Sequence, residues 1–135
     1  GAGVTRIFHY CFRDGAMHPW REAYFGLMNR QNRPKPAGIA CRTLTGQFPA
    51  GSTMPVVRRI GAVYTATWTR PDGGRTVAVW SVSDEVPVKA RVTGKASAVV
   101  DYLGRERSEN PAAFRAGPGI LYFTGDSNFS LEPLP

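Results

Sequence analysis

The sequence predicts a mainly β fold, an antiparallel β-sandwich preceded by one buried strand and one helix. Three observations carry this. Beyond residue 55 there are six short β-rich runs, most of them separated by turn chemistry. Residues 37–48 carry a helical period, with Ala37, Ala40, Cys41 and Leu44 at i, i+3, i+4 and i+7. Residues 4–12 form an almost uncharged β-branched and aromatic run, which suits a strand covered on both faces.

In chain order, the first run is Val4-Thr5-Arg6-Ile7-Phe8-His9-Tyr10-Cys11-Phe12, ended by the polar turn Arg13-Asp14-Gly15. A loop through Met17-His18-Pro19-Trp20 leads to Tyr24-Phe25-Gly26-Leu27-Met28-Asn29. The proline-bearing Arg33-Pro34-Lys35-Pro36 follows. Pro36 suits the first helical turn, and Gly46 stands near the expected helix end. Pro49 to Pro55 reads as a linker, which divides the chain into a β-α unit, 1–48, and a β unit, 49–135.

The six expected strands are Val56–Ile60, Ala62–Thr69, Arg75–Ser81, Val86–Val92, Ser97–Tyr102 and Gly119–Thr124. Arg70-Pro71-Asp72-Gly73-Gly74, Ser83-Asp84-Glu85, Thr93-Gly94-Lys95 and Leu103-Gly104-Arg105 separate most of them. In Tyr64-Thr65-Ala66-Thr67-Trp68 and Val77-Ala78-Val79-Trp80, large residues alternate with small or polar ones. Each strand can therefore lay one face on a core, and Trp68 and Trp80 read as core residues before they read as a sugar platform.

Composition removes several function classes. The 135 residues are too few for a complete barrel enzyme of roughly 250 residues. No apolar run approaches the ~18 residues of a membrane span, so no membrane partner is expected. The net charge is +7, and fourteen of the seventeen basic residues are Arg. Apart from Arg58-Arg59 they are scattered singly, which argues for a solvated basic surface over a nucleic-acid stripe. Cys11 and Cys41 lack any C-x-x-C or Cys/His spacing for a metal. They read as buried free thiols, with a disulfide between them left open. No phosphate loop, nucleophile motif or cofactor fingerprint is present, so no cofactor is expected. The sequence assigns no compartment. It begins at Gly1 and not at Met, which leads us to expect a piece processed or cut from something longer.

Three stretches together resemble the end of retaining glycoside hydrolases of the β-xylosidase and α-L-iduronidase family and its relatives. Gly3 to Tyr10, followed by Arg13-Asp14, resembles an eighth barrel strand. Gly26-Leu27 with Arg33-Pro34-Lys35-Pro36-Ala37 resembles the approach to the final barrel helix and is the most specific match. Val77 to Ser81, Val99 to Gly104 and Gly119 to Gly125 resemble strands of the appended sandwich. His9 departs from the pattern, which has Trp there, and no Pro immediately precedes Tyr122.

The resemblance implies that residues 1–48 are a remnant strand and helix of a (β/α)₈ barrel and that 49–135 are its C-terminal β-sandwich. It also implies that the two catalytic carboxyls of such an enzyme lie on strands this chain does not contain, so no catalytic residue is expected here. His9, Tyr10, Arg13, Asp14 and Trp20 are the expected contributors to the rim of a sugar site. Aromatic faces cover the C–H patches of a pyranose, while His and Arg bond its hydroxyls. For Asp14 a turn acceptor is the competing reading, for His9 a core histidine, and for Trp20 a cover for the barrel edge. The expected partners are the carbohydrate substrate of a parent enzyme and either the remaining barrel or a second copy meeting the orphan strand. A free-standing carbohydrate-binding module and a basic nucleic-acid-binding β domain are the alternatives from other classes.

Overall fold

The computed structural model describes residues 11–15 and 24–135. Its elements are α1 (Pro36–Gln47), β1 (Val56–Ile60), β2 (Val63–Thr69), β3 (Arg75–Ser81), β4 (Val86–Thr93), β5 (Ala96–Asp101), β6 (Ala113–Ala116), β7 (Leu121–Gly125) and β8 (Ser130–Pro133). The strands form two antiparallel sheets, β1-β2-β3-β7-β5 and β6-β4-β8. From β3 onward, successive strands alternate between the sheets, the crossing pattern that closes a sandwich.

Alternation decides which side chains meet between the sheets. Val77 and Val79 of β3, Leu121 and Phe123 of β7 and Val99 of β5 face Val88, Ala90, Phe114, Ala116 and Leu131 of the smaller sheet. Phe129 fills the space beside them, and the Phe114 and Phe123 rings lie 4.8 Å apart. The opposite face of the large sheet holds a second, smaller cluster, Trp68, Ala78 and Tyr122, with Phe48, Ala66, Trp80, Val100 and Ile120 packed against it. Trp68 is buried there, whereas Trp80 is half-buried and stacks on Tyr64 at 5.5 Å.

The turns work through local bonds. Asp72 Oδ1 accepts from the Gly74 amide at 3.0 Å, and Asp101 Oδ1 accepts from Leu103 and Arg105 at 2.9 and 3.0 Å. Both carboxylates thus serve as turn acceptors.

The six expected strands are found within two residues of their expected bounds, but β6 and β8 had no clear signal. Each is only four residues long and turns two residues inward, so its alternation is too brief to read. The helix begins at Pro36, but no residue of it is buried. Ala37, Cys41 and Leu44, which share the apolar face that the helical period marks, are exposed, and the Trp68 contacts with the sheet are made lower down, through Gln47 and Phe48. The expectation of two buried thiols is therefore corrected: Cys41 is exposed, Cys11 is half-buried, and both are free. The strand expected over Val4–Phe12 lies, except for Cys11 and Phe12, outside the described residues.

Candidate functional site

The end of the first run is held by a short three-segment ladder. Arg13 bridges Met28 in parallel, and Met28 bridges Pro34 in antiparallel. Met28 donates to the Phe12 carbonyl at 3.0 Å, Asp14 donates to the Met28 carbonyl at 3.0 Å, and Lys35 donates to the Leu27 carbonyl at 2.8 Å. Two glycines permit this close approach. A Cβ on Gly26 would fall on the backbone of Arg13 and Asp14, and one on Gly38 would fall on the Leu27 carbonyl.

Asp14 sits at the centre of the ladder and is buried. Its Oδ1 accepts from the Gly26 amide at 2.9 Å and from Lys35 Nζ at 2.9 Å, and Oδ2 faces the same ammonium at 3.3 Å. Lys35 also donates to the Tyr24 carbonyl, at 2.5 Å. The Lys35 hydrogen bond holds the Asp14 carboxyl below its ordinary range. Burial opposes this, and the Gly26 amide and the charges of Lys35 and Arg30 reinforce it. Pro36 opens α1, so Pro34-Lys35-Pro36 combines a ladder position, a counter-ion and a helix start in three residues.

Around this pair lies a polar rim. Arg13 Nη1 donates to Asn32 Oδ1 at 3.2 Å, and Arg30 Nε donates to the Gly15 carbonyl at 2.8 Å while its guanidinium lies 5.4 Å from the Tyr24 ring centroid. Asn32 takes φ +58°, which its short polar side chain tolerates, and Asn29 Oδ1 accepts from the Gln31 and Arg33 amides. Of the residues expected to face a sugar, Arg13 and Asp14 are thus brought together, while His9, Tyr10 and Trp20 lie outside the described residues. Lys35 and Gly26 were not expected in the cluster. Their signal was present in the sequence as a lysine locked between two prolines and a glycine ahead of an apolar pair.

Three further concavities are present among the described residues. A groove of about 460 Å³ runs between Ala40, Cys41 and Leu44 of α1 and Tyr102, Ile120 and Tyr122 of the sheet. A polar cleft of about 420 Å³ at one end of the sandwich holds Arg105, Arg107 and Arg115, each within 3.4 Å of a carboxylate of its own. The third, of about 430 Å³, opens between the two sheets beside β1 and β8. Among the described residues no three His, Cys, Asp or Glu side chains gather as a metal site would require.

No family model matches the sequence, and no curated protein matches it. Among solved structures, the chain is similar to a family 39 glycoside hydrolase from the gut symbiont Bacteroides cellulosilyticus WH2, with a TM-score of 0.62 and 13% identity. The match covers 85% of this chain and 25% of that one, so the chain spans about a quarter of the length of the enzyme it matches. At this identity the likeness is one of fold: the chain has a fold found within a glycoside hydrolase.

Proposed function

We propose that the chain is the C-terminal accessory region of a larger glycoside hydrolase, contributing structure and part of the rim of a sugar site while other segments supply the catalytic carboxyls. The observation that carries this is the asymmetry of the structural match, which takes in 85% of this chain against 25% of a family 39 glycoside hydrolase. The ordered motifs from Gly26-Leu27 through Pro34-Lys35-Pro36 support it, because they assemble into the ladder that presents Arg13 and Asp14. In this reading residues 1–48 are the closing strand and helix of a (β/α)₈ barrel, and His9, Tyr10, Arg13, Asp14 and Trp20 are its contribution to the substrate.

Hydrolysis of a glycosidic bond with retention needs two carboxyl groups about 5 Å apart. Asp14 has both oxygens engaged by Gly26 and Lys35, and no second carboxylate stands beside it among the described residues. The isolated chain is therefore expected to show no turnover of aryl glycosides. Hydrolysis by the chain alone, abolished by Asp14→Asn, would overturn the proposal. So would a coding sequence upstream of Gly1 that does not continue into strands ending in Asn-Glu and Glu.

A further inference from the structure

We infer that the cleft between the two sheets is a binding site for a hydroxylated monocarboxylate about the size of one sugar ring, a sugar acid. This inference rests on the cleft's own chemistry and does not depend on the function proposed above.

The cleft exists because the sheets are unequal. The three strands β6-β4-β8 cover β3 and β7, so that among the described residues the inner faces of β1 and β2 are roofed by little more than the edge of β8. Register places Val56, Arg58 and Ile60 of β1 on the same face as Thr67, Thr65 and Val63 of β2, and Arg75 of β3 joins them beside Thr69. From the other wall come Ser130, Leu131 and Glu132. The volume of about 430 Å³ lies within the ordinary range of ligand pockets, and it is not an apolar hollow.

Some of its polar groups are paired, Thr53 Oγ1 accepting from the Thr69 amide and Ser130 Oγ lying 2.7 Å from Thr93 Oγ1, but others have no partner among the described residues. Arg75 is half-buried, yet its guanidinium has no hydrogen bond or ion pair among the described residues. Thr65 is buried at 7% exposure, and neither its hydroxyl nor that of Thr67 makes a hydrogen bond there. Arg58 and Glu132 face one another across the mouth at 3.8 Å, at the outer limit of an ion pair, with both side chains more than half exposed. A guanidinium and two hydroxyls that open on one solvent-reached cavity suit a ligand that supplies acceptors and donors together.

Charge narrows the class. Arg58 and Arg75 against Glu132 leave one net positive charge, which matches a single carboxylate. Glu132 would repel the further charges of a phosphate ester or polyanion while accepting from a ligand hydroxyl. Thr65 and Thr67 can each donate and accept, as a polyol requires. Val56, Ile60 and Leu131 offer an apolar wall for the C–H face of a ring. Arg75 takes the carboxylate, and the threonines and Glu132 take the hydroxyls.

The test is a titration of the isotope-labelled chain with three probes, followed by NMR and calorimetry: D-galacturonate, D-galactose and acetate. Galacturonate is expected to shift amides of β1, β2 and β8 and to bind about ten-fold or more tighter than either galactose or acetate, since only it engages both sets of groups. Arg75→Gln should weaken galacturonate about ten-fold or more, and Thr65→Val, which keeps the side-chain shape, should weaken it by a smaller factor. Should Arg75→Gln fail to fold by circular dichroism, Thr65→Val decides. No binding of galacturonate, equal binding of acetate or galactose, shifts confined to other strands, or variants that leave the affinity unchanged would each overturn the inference.

Discussion

The sandwich and the segment that precedes it are held together by opposite means. Between the sheets twelve buried side chains meet, from Val63 to Leu131, and the alternation of every central strand points into that core. In the described residues before β1, by contrast, Asp14 and Gly26 are the buried residues, α1 buries nothing, and the ladder depends on backbone bonds, two glycines and one ion pair. Apolar burial contributes about 25 cal/mol per Å², and a sheltered ion pair is weak evidence for stability. The sandwich therefore holds itself, and the segment before it holds a shape whose apolar side, Ala37, Cys41 and Leu44, remains uncovered.

The comparison is broken most directly at Phe123, which is fully buried and packs on Phe114. Phe123→Ala should cost about 3–5 kcal/mol, seen as a lower denaturation midpoint with strand signal and Trp68 fluorescence lost together. A loss near zero would mean that the core is not what holds the sheets. Gly26→Ala attacks the other region. The new methyl group would meet the Asp14 and Arg13 backbone, which cannot yield as a flexible side chain would, and overpacking of this kind costs about 1–3 kcal/mol. The expected reading is faster hydrogen exchange at Asp14, Met28 and Lys35 with the sandwich midpoint unchanged. If the two regions melt together in this variant, they are one cooperative unit and the contrast drawn above fails.

The Asp14 pair sharpens the contrast through pH. Lys35 and the Gly26 amide lower the carboxyl below its ordinary value, so the stability it lends is fully present above that value. It is lost as pH falls through the lowered one. Exchange protection of the Gly26 amide should accordingly weaken in acid, while amides of β3 and β7 keep theirs over the same window. Asp14→Asn should flatten that acid dependence at Gly26. A Gly26 profile identical in wild type and variant would show that the carboxylate does not hold the ladder.

The same contrast explains what could be read from sequence. Strands β1 to β5 and β7 announce themselves because β-rich runs persist for five residues or more, most of them set off by Gly-, Pro- and Asp-bearing turns, with clear alternation in Tyr64–Trp68 and Val77–Trp80. Ser130-Leu131-Glu132-Pro133 pairs with β4 all the same, because its neighbours and not its own pattern place it. The helix was legible from its period, but which side it would bury was not. Ala37, Ala40, Cys41 and Leu44 predict an apolar face, and only tertiary context decides that Trp68 takes the Gln47 carbonyl and leaves that face open. Arg13 and Asp14 were singled out as a strand end, whereas Lys35 entered the cluster from twenty-one positions away, a distance no local period spans. The inter-sheet cleft had no sequence signal, because it arises from one sheet having two more strands than the other.

The smallest expected effect is at Leu44, and it tests whether the uncovered face of α1 matters to the chain itself. Leu44 is 46% exposed on the rim of the groove with Tyr102 and Ile120, so in the isolated chain little of its surface is withdrawn from water. Leu44→Glu should shift stability by no more than about 0.5 kcal/mol in either direction, the range of surface substitutions that touch no special feature. The helix should also keep its circular dichroism, since Glu is as good a helix former as Leu to within a few tenths of a kcal/mol. A cost of about 2 kcal/mol or more would mean that Leu44 is buried in solution, either by the sheet or by a second copy. Sedimentation separates the two, because only the second makes the loss depend on protein concentration. A negligible cost would leave α1 as a helix carried by the ladder at its start and by Trp68 at its end.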